Sequence, residues 1–137
     1  MNRIQYGDWI PGAEVRVYSR PYGVWHVGIL VWVFGVPMVI HASKDHGMVV
    51  RTSLEEFSDG LPVYYGRTPV NLEAQNAILR RAYSVLGKPF NLFHADCEDY
   101  VNWIITGVAR SPQRDAITLV AAALAIFLGG GGFGEAE

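Results

Sequence analysis

The strongest constraint on the fold of this chain is the segment Trp25–Val33, which is rich in β-branched and aromatic residues. Its residues are apolar at both alternating positions, a pattern typical of a strand in the centre of a sheet. Phe34–Pro37 can turn the chain, because glycine and proline interrupt regular structure, and Met38–His41 then returns as the next strand. The sequence therefore predicts an antiparallel hairpin at the centre of the fold.

The remaining elements divide the chain into a strand-rich first half and a helical second half. Ser53 with Glu56 forms a capping box, and Asn71 is a good N-cap. Strands followed mostly by helices predict an α+β fold, in which an antiparallel β-sheet is packed against helices on one side. Strands are predicted at Glu14–Tyr18, Met48–Arg51 and Val63–Tyr65, and helices at Leu54–Phe57, Leu72–Leu86, Cys97–Thr106 and Asp115–Leu128.

Length and composition indicate one globular domain that does not bind nucleic acid. The chain has 137 residues, of which 50% are hydrophobic and 18% are charged, so it can bury a core without further cross-links. Eleven Lys and Arg against thirteen Asp and Glu give a net charge of −2, which removes the electrostatic basis for general nucleic-acid binding. The first residues hold no apolar stretch of a secretory signal, so we expect a cytoplasmic protein.

The C-terminal segment Ala116–Leu128 is uncharged and strongly apolar. At thirteen residues it is shorter than the ~20 residues that span a bilayer. This length favours three alternatives over a membrane span: docking on the sheet of the same chain, contact with a second copy of the chain in an oligomer, or contact with a membrane surface. The segment Gly129–Gly134 that follows is of low complexity.

Cys97 is the only cysteine, which excludes an intramolecular disulfide and C-x-x-C zinc or redox motifs. It falls in the first turn of a predicted helix, with Asp96 available as the N-cap. The free amide groups and the positive dipole end of that helix stabilise a thiolate and could bind an oxyanion. The carboxylates of Asp96, Glu98 and Asp99 act in the opposite direction, because negative charge disfavours a second negative charge nearby. Activation of this thiol therefore requires a partner from elsewhere in the chain.

His26 and His41 are the candidate partners, since they lie on the two strands of the predicted hairpin. In an antiparallel pair the numbers of opposite residues add to a constant, which is odd when the loop has an even number of residues. An odd constant places His26 and His41 on one face of the sheet, either directly opposite or offset by two or four positions. One imidazole could then take the thiol proton while the other orients it.

Other interpretations of these residues remain open. A lone cysteine is often a buried residue, and a strand histidine is often a core residue with one hydrogen bond. A metal site of His26, His41 and Cys97 with His46 or His94 has no compact ligand spacing, so we predict neither a metal nor another cofactor. His94 either lines the same cleft as Cys97 or is a loop residue in water.

At these residues the chain resembles the lecithin:retinol acyltransferase-like family. This family is a branch of the NlpC/P60 papain-like superfamily with a circularly permuted order, in which histidine precedes cysteine. The resemblance covers about residues 7–113. Where the family has Asn-Cys-Glu-His-Phe, the flanking asparagine and histidine are replaced here by aspartates. The motifs that carry the resemblance are Trp25-His26-Val27-Gly28-Ile29, Val39-Ile40-His41-Ala42-Ser43 and Asp96-Cys97-Glu98-Asp99-Tyr100.

The resemblance implies roles for the candidate residues. Cys97 would be the nucleophile that forms a thioester, and its own backbone N–H the first oxyanion donor. His26 would be the general base, and His41 the polar residue that orients the His26 imidazole. Additional residues that could line this site are Trp25, His94 and Asp96.

The resemblance also implies an activity, but it leaves the substrate open. We expect a thiol acyltransferase or acyl hydrolase with the permuted NlpC/P60 fold in residues 1–113, followed by an apolar helix and tail in residues 114–137. The segment Ala116–Leu128 favours phospholipid or other lipid acyl groups over peptides. One alternative is a cysteine peptidase or amidase of the NlpC/P60 type. The other is a non-catalytic binding or membrane-targeting module, in which the carboxylates beside Cys97 silence the thiol.

Overall fold

A computed structural model describes residue 3 and residues 7–20, 23–89 and 97–108, with the backbone alone for residues 97–99. The predicted α+β class is confirmed, and the predicted helix at residues 115–128 lies outside the described residues. The strands are β1 (Glu14–Ser19), β2 (Val24–Val33), β3 (Val36–Ser43), β4 (Met48–Ser53) and β5 (Tyr64–Tyr65), and the helices are α1 (Leu54–Ser58), α2 (Leu72–Ser84) and α3 (Cys97–Thr106).

The five strands form one antiparallel sheet in the order β4-β3-β2-β1-β5, so β2 is central, as predicted. Ile29 lies opposite Ile40 in the β2–β3 pairing. The connecting turn is shorter than the four residues expected, because residues 36 and 37 already pair in β3. Its two residues, Phe34 and Gly35, both have positive φ, which is the backbone of a type I′ hairpin turn.

Each face of the sheet carries its own buried cluster. On one face, α2 and α3 pack over the central strands through residues such as Ile78, Tyr100 and Ile104. On the other face, Phe57 of α1 packs with Leu30 and other apolar side chains of the sheet. The expectation that the helices lie on one side only is therefore wrong for α1.

The cap of α1 fixes the residue at which this helix starts. The Ser53 side chain at the end of β4 accepts a hydrogen bond from the N–H of Glu56 at 3.0 Å, as the predicted capping box requires. The helix thus starts directly at the strand end and packs mainly against β3 and β4. Asn71 caps α2 in the same way, by accepting from the N–H of Ala74 at 2.8 Å.

We expect Gly28→Ala to destabilise the fold by about 1–3 kcal/mol. A Cβ atom at this position would lie 2.5 Å from Cγ1 of Val39 and 2.9 Å from the carbonyl oxygen of Ile40, so the β3 backbone would have to move. Urea unfolding followed by circular dichroism measures the change. Arg80→Ala, at an exposed position of α2, is the control and should alter stability by less than about 0.5 kcal/mol. A Gly28→Ala protein as stable as the wild type would contradict this close approach of the two strands.

Candidate active site

The two strand histidines meet on the face of the sheet that carries α1. Nε2 of His26 lies 3.2 Å from Nδ1 of His41, and Nε2 of His41 lies 2.9 Å from Oγ1 of Thr52. These three side chains come from β2, β3 and β4, so a hydrogen-bonded line crosses three neighbouring strands. The prediction that His26 and His41 share one face is confirmed, with an offset of two positions from direct opposition.

We assign the direction of these hydrogen bonds from the Thr52 hydroxyl, which donates to the carbonyl oxygen of Ser53 at 3.3 Å. With its proton used in this bond, Oγ1 accepts from an Nε2–H of His41. A neutral His41 then has no proton on Nδ1, so this atom accepts from the Nε2–H of His26. His26 is left with an electron pair on Nδ1 that accepts no hydrogen bond from the described residues.

Phe57 covers both imidazoles. The His26 ring stacks on it with centroids 4.8 Å apart, and the His41 ring meets it edge-on at 5.1 Å. Burial, with smaller contributions from positive charge on His26 and His46, lowers the pKa of His41 to about 4. Burial also lowers the pKa of His26, and the charge of Lys44 acts in the same direction. Both imidazoles are therefore neutral at pH 7.

Cys97 is the first residue of α3, in agreement with its predicted place in a first helical turn. The first amide N–H groups of a helix have no acceptor within it and can bind an anion. α3 packs through Tyr100 and Ile104 on the face of the sheet opposite to the imidazoles. The Cys97 side chain, like His94 and Asp96, lies outside the part of the chain that the structure describes.

Trp25 lies on the other face of β2 from His26, because successive residues of a strand point to opposite faces. Its ring packs edge-on against Tyr18 at 5.2 Å and Tyr64 at 6.1 Å between centroids. These three rings and Arg20 line an open cavity of about 370 Å³. Trp25 therefore does not line the histidine pair.

Neither Thr52 nor Phe57 was predicted from the sequence to lie in the site. The sequence did hold a signal for Thr52. The turn Lys44–Gly47 has four residues, and because this number is even, the Thr52 side chain lies on the same face of the sheet as His41. Phe57 gives no such signal, because its contact depends on how α1 packs against the sheet.

The described ranges contain neither a metal-binding cluster nor a membrane-spanning helix. No group of three His, Cys, Asp or Glu side chains in them could hold a metal ion. Every helix in those ranges is too short or too polar to cross a membrane.

The fold and the site together define an α+β domain whose central antiparallel strands hold a neutral histidine pair, with His41 buried and His26 half-buried. The family model described as lecithin retinol acyltransferase matches residues 12–110, a range that contains all the described helices and strands. The chain belongs to the lecithin retinol acyltransferase family. This membership supports, in general terms, an acyltransferase or NlpC/P60-like function. Comparisons with curated proteins and with solved structures gave no match.

We expect His41 to make the fold less stable in acid. Its pKa is about 4 when folded and near 6.5 when unfolded, so the unfolded chain binds more protons between these values. The contribution of this group to stability is fully present above pH 6.5. It falls by about 3 kcal/mol as the pH drops to about 4. Urea unfolding from pH 4 to 8 should show a shallower pH dependence for His41→Gln than for the wild type, and equal slopes would contradict the burial of this imidazole.

Proposed function

We propose that this chain is a cysteine-dependent acyl-transfer enzyme, in which Cys97 carries the acyl group as a thioester and His26 moves the protons. One observation carries the proposal, which is the hydrogen-bonded line from His26 through His41 to Thr52. With the directions assigned above, this line leaves an electron pair on Nδ1 of a neutral His26. A general base requires such a pair at the working pH. Family membership and the position of Cys97 at the start of α3 support the nucleophile.

The first step forms the thioester. Nδ1 of His26 takes the thiol proton of Cys97 as the sulfur attacks the carbonyl carbon of an ester. A carbon–sulfur bond forms, and the carbonyl oxygen becomes an oxyanion that the free amide groups at the start of α3 would stabilise, the N–H of Cys97 first among them. The ester carbon–oxygen bond then breaks, and His26 returns the proton to the leaving alcohol.

The second step releases the acyl group. Water, an alcohol or an amine attacks the thioester carbon while Nδ1 of His26 accepts the proton of this nucleophile. The carbon–sulfur bond breaks, and the Cys97 sulfur regains a proton from the His26 imidazolium. Hydrolysis and transfer therefore share one mechanism and differ only in the acceptor.

His41 acts as a positioning residue. Its Nδ1 accepts from the Nε2–H of His26, which keeps the opposite nitrogen of His26 directed away from the pair. Because the pKa of His41 is about 4, the proton taken from the thiol stays on His26 rather than passing to His41. Thr52 supports this arrangement, because its hydroxyl oxygen accepts a hydrogen bond from the Nε2–H of His41.

The proposed fold is the circularly permuted NlpC/P60 arrangement, with residues 1–113 as the catalytic domain. α3 packs on the face of the sheet opposite to the imidazoles. The proposal therefore requires the Cys97 sulfur to reach His26 around the end of the sheet where β2 begins, two residues before this histidine. Phospholipid or other lipid acyl groups are the proposed substrates, and the apolar segment Ala116–Leu128 supports this choice.

We expect an acyl adduct on Cys97 after incubation with phosphatidylcholine, detected by intact-mass and peptide mass spectrometry. Cys97→Ala should show no adduct. His26→Ala should lower the rate of adduct formation by about 10²–10⁴, because it removes the general base. His41→Ala should retain more activity than His26→Ala, since orientation contributes less than proton transfer, and His46→Ala is the control for an exposed histidine.

Other outcomes would redirect the assignment. Release of an amide or peptide product without a lipid adduct would favour the amidase. Alkylation of Cys97 by iodoacetamide no faster than that of free cysteine would favour the non-catalytic module. Equal and small losses from His26→Ala and His41→Ala would contradict the roles given to the two imidazoles.

We expect Thr52→Val to lower the rate of Cys97 acylation by about tenfold and Thr52→Ser to restore it. Valine keeps the size of the side chain but leaves the Nε2–H of His41 without an acceptor, so both tautomers of His41 become accessible. Ring ¹⁵N chemical shifts should show a single Nε2–H tautomer of His41 in the wild type and a mixture in Thr52→Val. A slower Thr52→Val enzyme with an unchanged His41 tautomer would contradict the positioning role given to Thr52.

A further inference from the structure

The hairpin that joins β2 and β3 projects beyond its neighbours in the sheet. On the β2 side of the hairpin, the last hydrogen bonds from the described residues that precede β1 are those to Leu30. On the β3 side, the pairing with β4 ends where Met38 lies opposite Ser53. Residues Trp32–Pro37, here called the hairpin tip, thus extend about 10 Å past the adjoining strands.

The hairpin tip is apolar and exposed. Phe34 is fully exposed, Trp32 is 42% exposed and Val36 is 52% exposed. No Asp, Glu, Lys or Arg occurs in residues 24–43. A surface of this kind can enter an apolar environment without removing a charge from water.

Phe34 serves neither the core nor the turn. Its φ of 52° lies in the left-handed region, which bulky side chains disfavour and which Asn or Asp before glycine adopts readily in this turn type. The aromatic side chain therefore adds backbone strain at a position where it has no contact with the core. A contact with something other than the described residues would account for a phenylalanine at this position.

We propose that the hairpin tip docks the protein on the surface of a lipid bilayer. The exposed parts of Trp32, Phe34 and Val36 amount to about 400 Å², estimated from the usual areas of such side chains. A stable interface between two copies needs roughly 800 Å² on each partner, whereas a bilayer accepts a small convex tip without a complementary surface. Aromatic side chains, Trp above all, are enriched where proteins meet the membrane–water interface. Trp32 is held for this contact by the edge-on ring of Trp9, 5.9 Å away between centroids.

This proposal does not rest on the proposed acyl-transfer function. His26 lies near the start of β2, and the hairpin tip lies at its end, about 23 Å along the strand. The docking surface is also separate in sequence from the segment Ala116–Leu128. Binding to vesicles can therefore succeed or fail independently of chemistry at Cys97.

The test is co-sedimentation of the full chain with phosphatidylcholine vesicles, comparing the wild type with Phe34→Asn. Asparagine suits the left-handed turn position, so this variant should be at least as stable as the wild type in urea unfolding. Its affinity for vesicles should nevertheless fall by about tenfold or more. Val70→Asn removes an exposed apolar side chain elsewhere and should bind as the wild type does. Because the tip is uncharged, added salt should not weaken binding of the wild type.

A second measurement reports on the tip directly. In a Cys97→Ser background, Phe34→Cys carrying a polarity-sensitive dye should shift its emission to the blue when vesicles are added, and Val70→Cys with the same dye should not. Equal vesicle affinity of Phe34→Asn and the wild type, together with an unchanged dye at position 34, would overturn the proposal. A dimer seen by sedimentation velocity that Phe34→Asn abolishes, with no vesicle binding, would instead assign the tip to a second copy of this chain.

Discussion

The register between β2 and β3 is the constraint on which the candidate site depends. With Ile29 opposite Ile40, His26 and His41 lie on one face of the sheet and close enough for their ring nitrogens to form a hydrogen bond. A slip of one residue would move one of the two imidazoles to the opposite face. The two-residue turn at Phe34–Gly35 sets this register, so a local backbone feature at one end of the hairpin determines a contact near the other end.

The sequence could predict which side chains of the site share a face of the sheet, because this depends only on whether each turn has an even or odd number of residues. Both turns around β3 hold an even number of residues, so His26, His41 and Thr52 must share a face whatever the centre of each turn. Which of them touch depends on that centre, and the sequence indicated a four-residue turn where the chain uses two. Local capping signals likewise located the start of α2. The position of Phe57 could not be predicted, because it depends on packing between elements rather than on local pattern.

The helix that departs from the predicted arrangement also determines the electrostatics of the site. α1 brings Phe57 over the histidines, and the resulting burial lowers the pKa of both. The decrease in pKa is large for His41, which is 6% exposed and whose side chain is hydrogen-bonded at both ring nitrogens. Two exposed imidazoles in contact would compete for one proton, whereas groups with separated pKa values can take distinct roles as base and positioning residue.

The length of β2 links the two proposals made for this chain. His26 and the hairpin tip are at opposite ends of one ten-residue strand, about 23 Å apart. The polar region on each side of a bilayer core is only about 5–8 Å thick. If β2 stood upright on the membrane, an acyl carbonyl in the bilayer would lie well below His26. Docking through the tip and acyl transfer from a membrane lipid are therefore compatible when β2 lies at a low angle to the surface, which brings the start of the strand down to the lipid headgroups.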